Sequence, residues 1–170
     1  MSGAPLRNGR RLGADAGPIH FMGIGGAGMY ALAELFVQRG HTVTGCDVRE
    51  GPAVSRLRDL GVEISMGHDP AHVSGVAAVV VTAAVPASHP ELVAAREAGI
   101  PVLKRAAALG AVVNEGRVVA IAGTHGKTST TAVTVRILRE AGLEPTGLVG
   151  GTVAEWDGNL HVGGDLYVVE

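Results

Sequence analysis

The chain has 170 residues, 46% hydrophobic and 18% charged. That is enough to bury one good core and exclude global disorder, but it falls short of two complete α/β domains at about 100 to 200 residues each. The 14 Lys and Arg against 16 Asp and Glu leave a net charge of −2, and aromatic residues are 3%, so nucleic acid finds neither an attracting field nor a stacking platform. The single Cys46 rules out an internal disulfide and a site built of cysteine ligands, and points to a reducing cytoplasm.

Residues 1–17 mix Arg7, Arg10 and Arg11 with Gly, Ala, Asn and Pro, without the apolar run of a signal peptide, and read as a flexible tail. The longest apolar stretch, 76–85, is interrupted by Thr82 and is far short of the ~20 residues that span a bilayer. From Pro18 short apolar runs alternate with amphipathic segments. Residues 19–23 predict a strand ending in glycines, and 29–39 a helix with Ala31, Leu32, Leu35 and Phe36 on one face. Strand 41–46, helix 53–60 and strand 62–65 follow; 76–82 predicts a buried central parallel strand, 90–98 a helix with Pro at its start, 100–103 a strand and 106–113 a helix.

The turn signal at 114–116 marks a domain boundary. Beyond it, 118–122 predicts a buried strand and 127–141 a helix carrying Val133, Ile137 and Leu138, and the sequence ends on a strand, 166–169, and Glu170. This alternation predicts an α/β protein with parallel sheets: a Rossmann-like domain at 18–113, then at 117–170 the beginning of a P-loop α/β ATPase domain.

Two glycine loops carry the chemistry. Gly23-Ile-Gly-Gly-Ala-Gly28 is a G-x-G-x-x-G between strand and helix; its glycines permit a tight turn and let backbone N–H groups approach a diphosphate at a helix N-terminus. Asp47 lies 19 residues beyond Gly28, near the ~20 that place a carboxylate on a nucleotide ribose. The alternative is a glycine-rich turn with an ordinary strand-end Asp. The second loop, Gly123-Thr-His-Gly-Lys-Thr128, is a shortened P-loop, since Ile121 stands where a Walker A motif has its first Gly. Loop N–H groups would wrap a β-phosphate, Lys127 would bring charge to the β/γ oxygens, and Thr128 would hold Mg²⁺. Lys127 is one of two lysines, with Lys104; the alternative is a Thr-rich helix cap. Glu170, ending an apolar strand, stands where P-loop proteins place an acid on the metal, or else is a strand-end carboxylate facing water.

Residues 20–29 (HFMGIGGAGM), 45–47 (GCD), 67–68 (GH), 82–86 (TAAVP) to Pro90-Glu91, 100–105 (IPVLKR) and 122–131 (AGTHGKTSTT) together resemble the Mur ligases of peptidoglycan synthesis, over about 18–170. The shortened phosphate loop is the form that family uses. The resemblance implies ATP-dependent amide-bond formation between UDP-N-acetylmuramate and L-alanine by way of an acyl phosphate. It places Gly25, Gly26, Gly28, Asp47, His68 and Thr82 at the UDP-sugar, and Gly123, Thr124, His125, Gly126, Lys127, Thr128 and Ser129 at ATP, with Lys127 as the catalytic group and Thr128 and Glu170 at Mg²⁺. His68 reads equally as a capping or surface histidine, and His125 as a phosphate contact or a loop-orienting group. The family continues past the acid at Glu170, and the approach to it, 159–164, follows the family loosely; by itself the chain is expected to bind UDP-sugar and not to ligate. Two other readings are a nicotinamide-binding Rossmann module and a sister ligase that attaches a recycled peptide.

Overall fold

The computed structural model describes residues 17–170; the predicted tail, apart from Gly17, lies outside them. The chain divides into two compact units, one up to Val112 and one from Val113 to Glu170.

The first unit runs β1 (Ile19–Met22), α1 (Ala27–Gln38), β2 (Val43–Asp47), α2 (Pro52–Asp59), β3 (Glu63–Met66), a 3₁₀ turn (Pro70–Val73), β4 (Ala78–Val81), α3 (Pro90–Glu97), β5 (Val102–Lys104) and α4 (Arg105–Val113). Its strands form one parallel sheet in the order β3-β2-β1-β4-β5. β1 is therefore the centre and β4 its neighbour, and the strand order reverses beside β1, where open α/β sheets bind ligands off their carboxyl ends. All five strands fall where the sequence predicts them.

Side chains alternate across this sheet. Phe21 points to one side and meets the ring of Phe36 edge-on at 5.6 Å; Ala31, Leu32, Leu35 and Phe36 of α1 are all fully buried, as their helical spacing predicts. The register pairs His20 with Thr44 and Val79, and Met22 with Cys46. These residues share the opposite face, where Met22, Cys46, Val79 and Val81 pack with Val73 of the 3₁₀ turn and Leu92 and Ala95 of α3.

The second unit runs β6 (Arg117–Ala120), α5 (Lys127–Glu140), β7 (Pro145–Val153), a 3₁₀ turn (Ala154–Trp156), β8 (Gly158–His161) and β9 (Leu166–Val169). The sheet order is β6-β9-β7-β8, with β9 parallel to β6 and β7 and with β8 antiparallel to β7. Three expectations are corrected here. The sheet is mixed, because β7 and β8 form a hairpin; β9, not β6, is the buried strand; and the inward face of α5 is not the one predicted. Among the described residues β6 pairs only with β9, and it is exposed along its length, with Val118 at 40%. α5 turns Thr131 and Val135 inward and leaves Val133 and Ile137 exposed. The stripe Thr131, Val135, Leu138 follows the i, i+4, i+7 rule, but its first member is polar, so the pattern hid it. Gly147 explains how closely α5 and the hairpin approach: a Cβ there would stand 2.7 Å from both Val135 and the Trp156 ring.

Candidate functional site

In the first unit the loop after β1 begins with Gly23 at φ +70, left-handed backbone that favours glycine. The Gly23 and Ile24 N–H groups donate to the Cys46 carbonyl at 2.8 and 3.1 Å, docking the loop on the end of β2. Asp47 then closes it: Oδ2 accepts from the Gly25 N–H at 2.8 Å and Oδ1 from the Arg49 N–H at 3.1 Å. Gly25 and Asp47, predicted to share a ligand, are thus in direct contact. Gly26 is the N-cap of α1 and offers no side-chain cap, and the first turn of α1 has no acidic residue. A Cβ on Gly28 would lie 3.2 Å from Cδ and Nη1 of Arg105, so a guanidinium stands beside a helix N-terminus, and both favour an anion. Sequence reasoning did not single out Arg105; its signal was its place in the 100–105 segment matching the family.

Thr82, past the carboxyl end of β4, accepts from the Ala84 N–H at 3.3 Å and shapes that turn. His68 is directed inward: its Nδ1 lies 3.4 Å from Cys46 Sγ and 3.0 Å from Glu91 Oε2.

In the second unit Gly126, at φ +74, is the N-cap of α5, again without a side-chain cap. Lys127 Nζ donates to the Gly123 carbonyl at 3.1 Å, folding the ammonium over its own loop, while Thr124, His125 and Ser129 are exposed around it. Thr128 Oγ1 donates to Glu170 Oε1 at 3.1 Å, and the Gly150 N–H donates to the same oxygen at 2.6 Å. Glu170 Oε2 is buried and has no partner. A hydroxyl and a carboxylate with one oxygen left over are hard donors of the kind Mg²⁺ takes, so these residues fit the predicted metal.

A third grouping was not predicted. Glu91, near the start of α3, is completely buried and collects His72 Nδ1 at 2.7 Å and the Asp69 N–H at 3.1 Å on Oε1, with His68 Nδ1 on Oε2. Cys46 Sγ donates to Oε2 at 3.5 Å. Burial acts to raise the Glu91 pKa, but the bonds from His72, Asp69 and His68 outweigh it and hold the carboxyl below its usual range. Burial pushes the Cys46 thiol up to about 12, with Glu91 adding to the effect. The same burial lowers His20 to about 4 against the attraction of Glu91, with His72 and His68 adding to the drop, so its imidazole is neutral at pH 7.

The sequence pattern described as "Mur ligase family, catalytic domain" matches residues 18–117. The chain belongs to the Mur ligase family. Family relatives include the UDP-N-acetylmuramate–L-alanine ligase of Acidothermus cellulolyticus, 48% identical over 155 residues, and that of Salinispora tropica, 45% identical over 163; the alignments cover 91% and 95% of this chain and 32% of each relative. The chain thus spans about a third of the length of these curated relatives. Among solved family structures, the UDP-N-acetylmuramate-alanine ligase of Thermotoga maritima superposes with a TM-score of 0.79 at 33% identity, covering 89% of this chain and 36% of that one. The UDP-N-acetylmuramate:L-alanyl-gamma-D-glutamyl-meso-diaminopimelate ligase of Neisseria meningitides gives 0.81 at 27%, covering 91% and 52%.

Proposed function

We propose that this chain supplies the UDP-sugar cradle and the phosphate loop of a cytoplasmic, ATP-dependent ligase that joins UDP-N-acetylmuramate to L-alanine in peptidoglycan synthesis. The observation that carries this reading is the 48% identity to an alanine-adding ligase over 91% of the chain, which takes in both glycine loops. The solved peptide-adding relative, at 27% identity, is the second reading, and the choice of amine separates the two.

In this reading the diphosphate of the UDP-sugar lies at the uncapped start of α1, against the backbone of Gly25, Gly26 and Gly28 and the Arg105 guanidinium. Asp47 fixes the loop through Gly25 and leaves its remaining lone pairs to the nucleotide, with His68 and Thr82 at the edge of that site. ATP lies along Gly123–Ser129, where the N–H groups at the start of α5 and the Lys127 ammonium stabilise charge on the transferring phosphoryl group. Thr128 and Glu170 would hold Mg²⁺, which when bound neutralises phosphate charge. The muramyl carboxylate attacks the γ-phosphorus and ADP leaves; the amine of L-alanine then attacks the acyl carbon of the resulting acyl phosphate, loses a proton, and phosphate leaves. No side chain need bond covalently to substrate. Positioning and charge neutralisation do the work.

The test is phosphate release by the full-length gene product with ATP, Mg²⁺ and UDP-N-acetylmuramate, offering L-alanine, L-glutamate or a tripeptide as the amine. Release with L-alanine alone is expected; release with the tripeptide and none with L-alanine replaces this reading with the peptide-adding one.

A further inference from the structure

The buried polar group on the β1–β2 face of the first unit exceeds what packing requires. His20 from β1, Cys46 from β2, His72 from the 3₁₀ turn and Glu91 from α3 each present one ligand atom, and those atoms all lie within 4.8 Å of one another. Three of the four are buried and His72 is partly so. They sit among Met22, Val73, Val79, Val81 and Leu92, where an uncompensated carboxylate is costly.

His20 supplies the independent observation. It is only 2% exposed, its Nδ1 is 3.0 Å from Thr44 Oγ1, and its Nε2 is buried with no hydrogen-bond partner among the described residues. Metal-bound histidines characteristically have the second ring nitrogen held by a hydrogen bond that fixes the tautomer, leaving the other lone pair for the metal. Thr44 can do this for His20, by accepting from the Nδ1–H tautomer. The donor set of two imidazoles, one thiol and one carboxylate matches the ligand types and the count of a closed tetrahedral zinc site, and it is softer than the oxygen sets that take Mg²⁺ or Ca²⁺.

We propose that His20, Cys46, His72 and Glu91 bind a single Zn²⁺ that ties α3 and the 3₁₀ turn to the sheet. The four ligands come from four separate elements, so the ion would act as a cross-link in the folded state and stabilise it by mass action. Zinc binding takes up the Cys46 sulfur as thiolate and releases its proton to solvent. His68 and His89 flank the same carboxylate, with Nδ1 atoms 3.0 and 3.9 Å from Glu91 Oε2. They form the competing arrangement, in which a metal would sit without the sulfur. None of the four ligands belongs to a glycine loop, although Cys46 also holds the first loop through its carbonyl; the proposed metal takes no part in the reaction proposed above.

The test uses the untagged chain stripped with a chelator, dialysed against Zn²⁺ for stoichiometry and titrated with Co²⁺ as the spectroscopic probe. One zinc per chain is expected, with visible Co²⁺ bands of tetrahedral intensity and a near-ultraviolet thiolate-to-cobalt band. Loss of an outer-shell partner already weakens metal binding about 10- to 100-fold, so T44V should weaken zinc binding by at least about tenfold. C46S should abolish the near-ultraviolet band and weaken zinc by more than about 100-fold. Circular dichroism confirms that each variant is folded, and the wild-type spectrum decides the matter if a variant is not. Failure to retain zinc in dialysis overturns the proposal, leaving the cluster a proton-bonded network around Glu91. So does a cobalt spectrum without the sulfur band, or zinc affinity unchanged in C46S, either of which moves the metal to His68 and His89.

Discussion

The two glycine loops solve one backbone problem with opposite charges close at hand. Both follow a strand, both open a helix whose N-cap carries no side-chain cap, and both contain glycine at positive φ. In the first, the Gly25 N–H is already engaged by the Asp47 carboxylate, and a guanidinium reaches the loop from a distant segment, at Arg105. In the second, the cation is the loop's own Lys127 and the carboxylate, Glu170, is bonded to the hydroxyl that follows it. In the function proposed above, the first loop takes a diphosphate on its helix N-terminus and the Arg105 guanidinium, with Asp47 spent on the loop's own backbone, while the second loop's own ammonium serves a phosphoryl group gaining charge during transfer.

The sharpest way to break this comparison is Lys127→Ala in the full-length protein. Removal of one preorganised charge from a transferring group costs about 10²–10³ in rate, so phosphate release should fall at least that far while UDP-sugar binding by the first unit is unchanged. Equal loss of both would mean that the two loops do not divide the work.

Acid should weaken the first unit next. His20 has a folded-state pKa of about 4 against an ordinary 6.5, so between those values the unfolded chain binds the extra proton and stability falls as pH falls. From pH 7 to pH 4 with chelator present, this one group removes about 3 kcal/mol, and Glu91, held low, adds a loss at lower pH still. Hydrogen exchange of the β1 and β2 amides at the two pH values reads the effect; protection that does not change would contradict the burial of a neutral His20. In the second unit His161 is also lowered, by burial and by Arg139 against Glu155, giving a trend of the same sign.

Arg105→Ala tests the borrowed cation. A charged hydrogen bond contributes about 1.5–3 kcal/mol, so the dissociation constant for UDP-N-acetylmuramate should rise roughly 10- to 100-fold with ATP binding untouched. Smallest of all is Arg139→Ala, which breaks a 3.3 Å pair with Glu155 whose side chains are 46% and 53% exposed. Thermal unfolding should move by no more than about 0.5 kcal/mol in stability; a larger change would mean that this rim carries packing the ion pair does not explain.

Much of the first unit was legible because its signals are local. Gly23–Gly28 sits between an apolar run and an amphipathic one, Pro90 opens α3, and 78–81 is a run of β-branched and small residues with no polar break. The Glu91 cluster was not, because its members lie far apart in the chain and meet only through the parallel register that sets His20 beside Thr44 and Met22 beside Cys46. The β7–β8 hairpin was also missed. Three glycines in 145–153 give it a weak strand signal, yet β7 is held on both edges by β9 and β8, and tertiary pairing overrides weak strand propensity. Asp69 caps the 3₁₀ turn that brings His72 to Glu91, a meeting that no local pattern announces.

The account rests on the first loop being a receptor for a sugar-linked diphosphate, and calorimetric titration of the chain with UDP-N-acetylmuramate, with NADH as the comparison ligand, tests it most directly. Saturable one-to-one binding of the UDP-sugar is predicted, weakened in Arg105→Ala, unaffected in Lys127→Ala, and with no matching heat from NADH. Saturable NADH binding with none for the UDP-sugar would contradict it and make the loop a nicotinamide site.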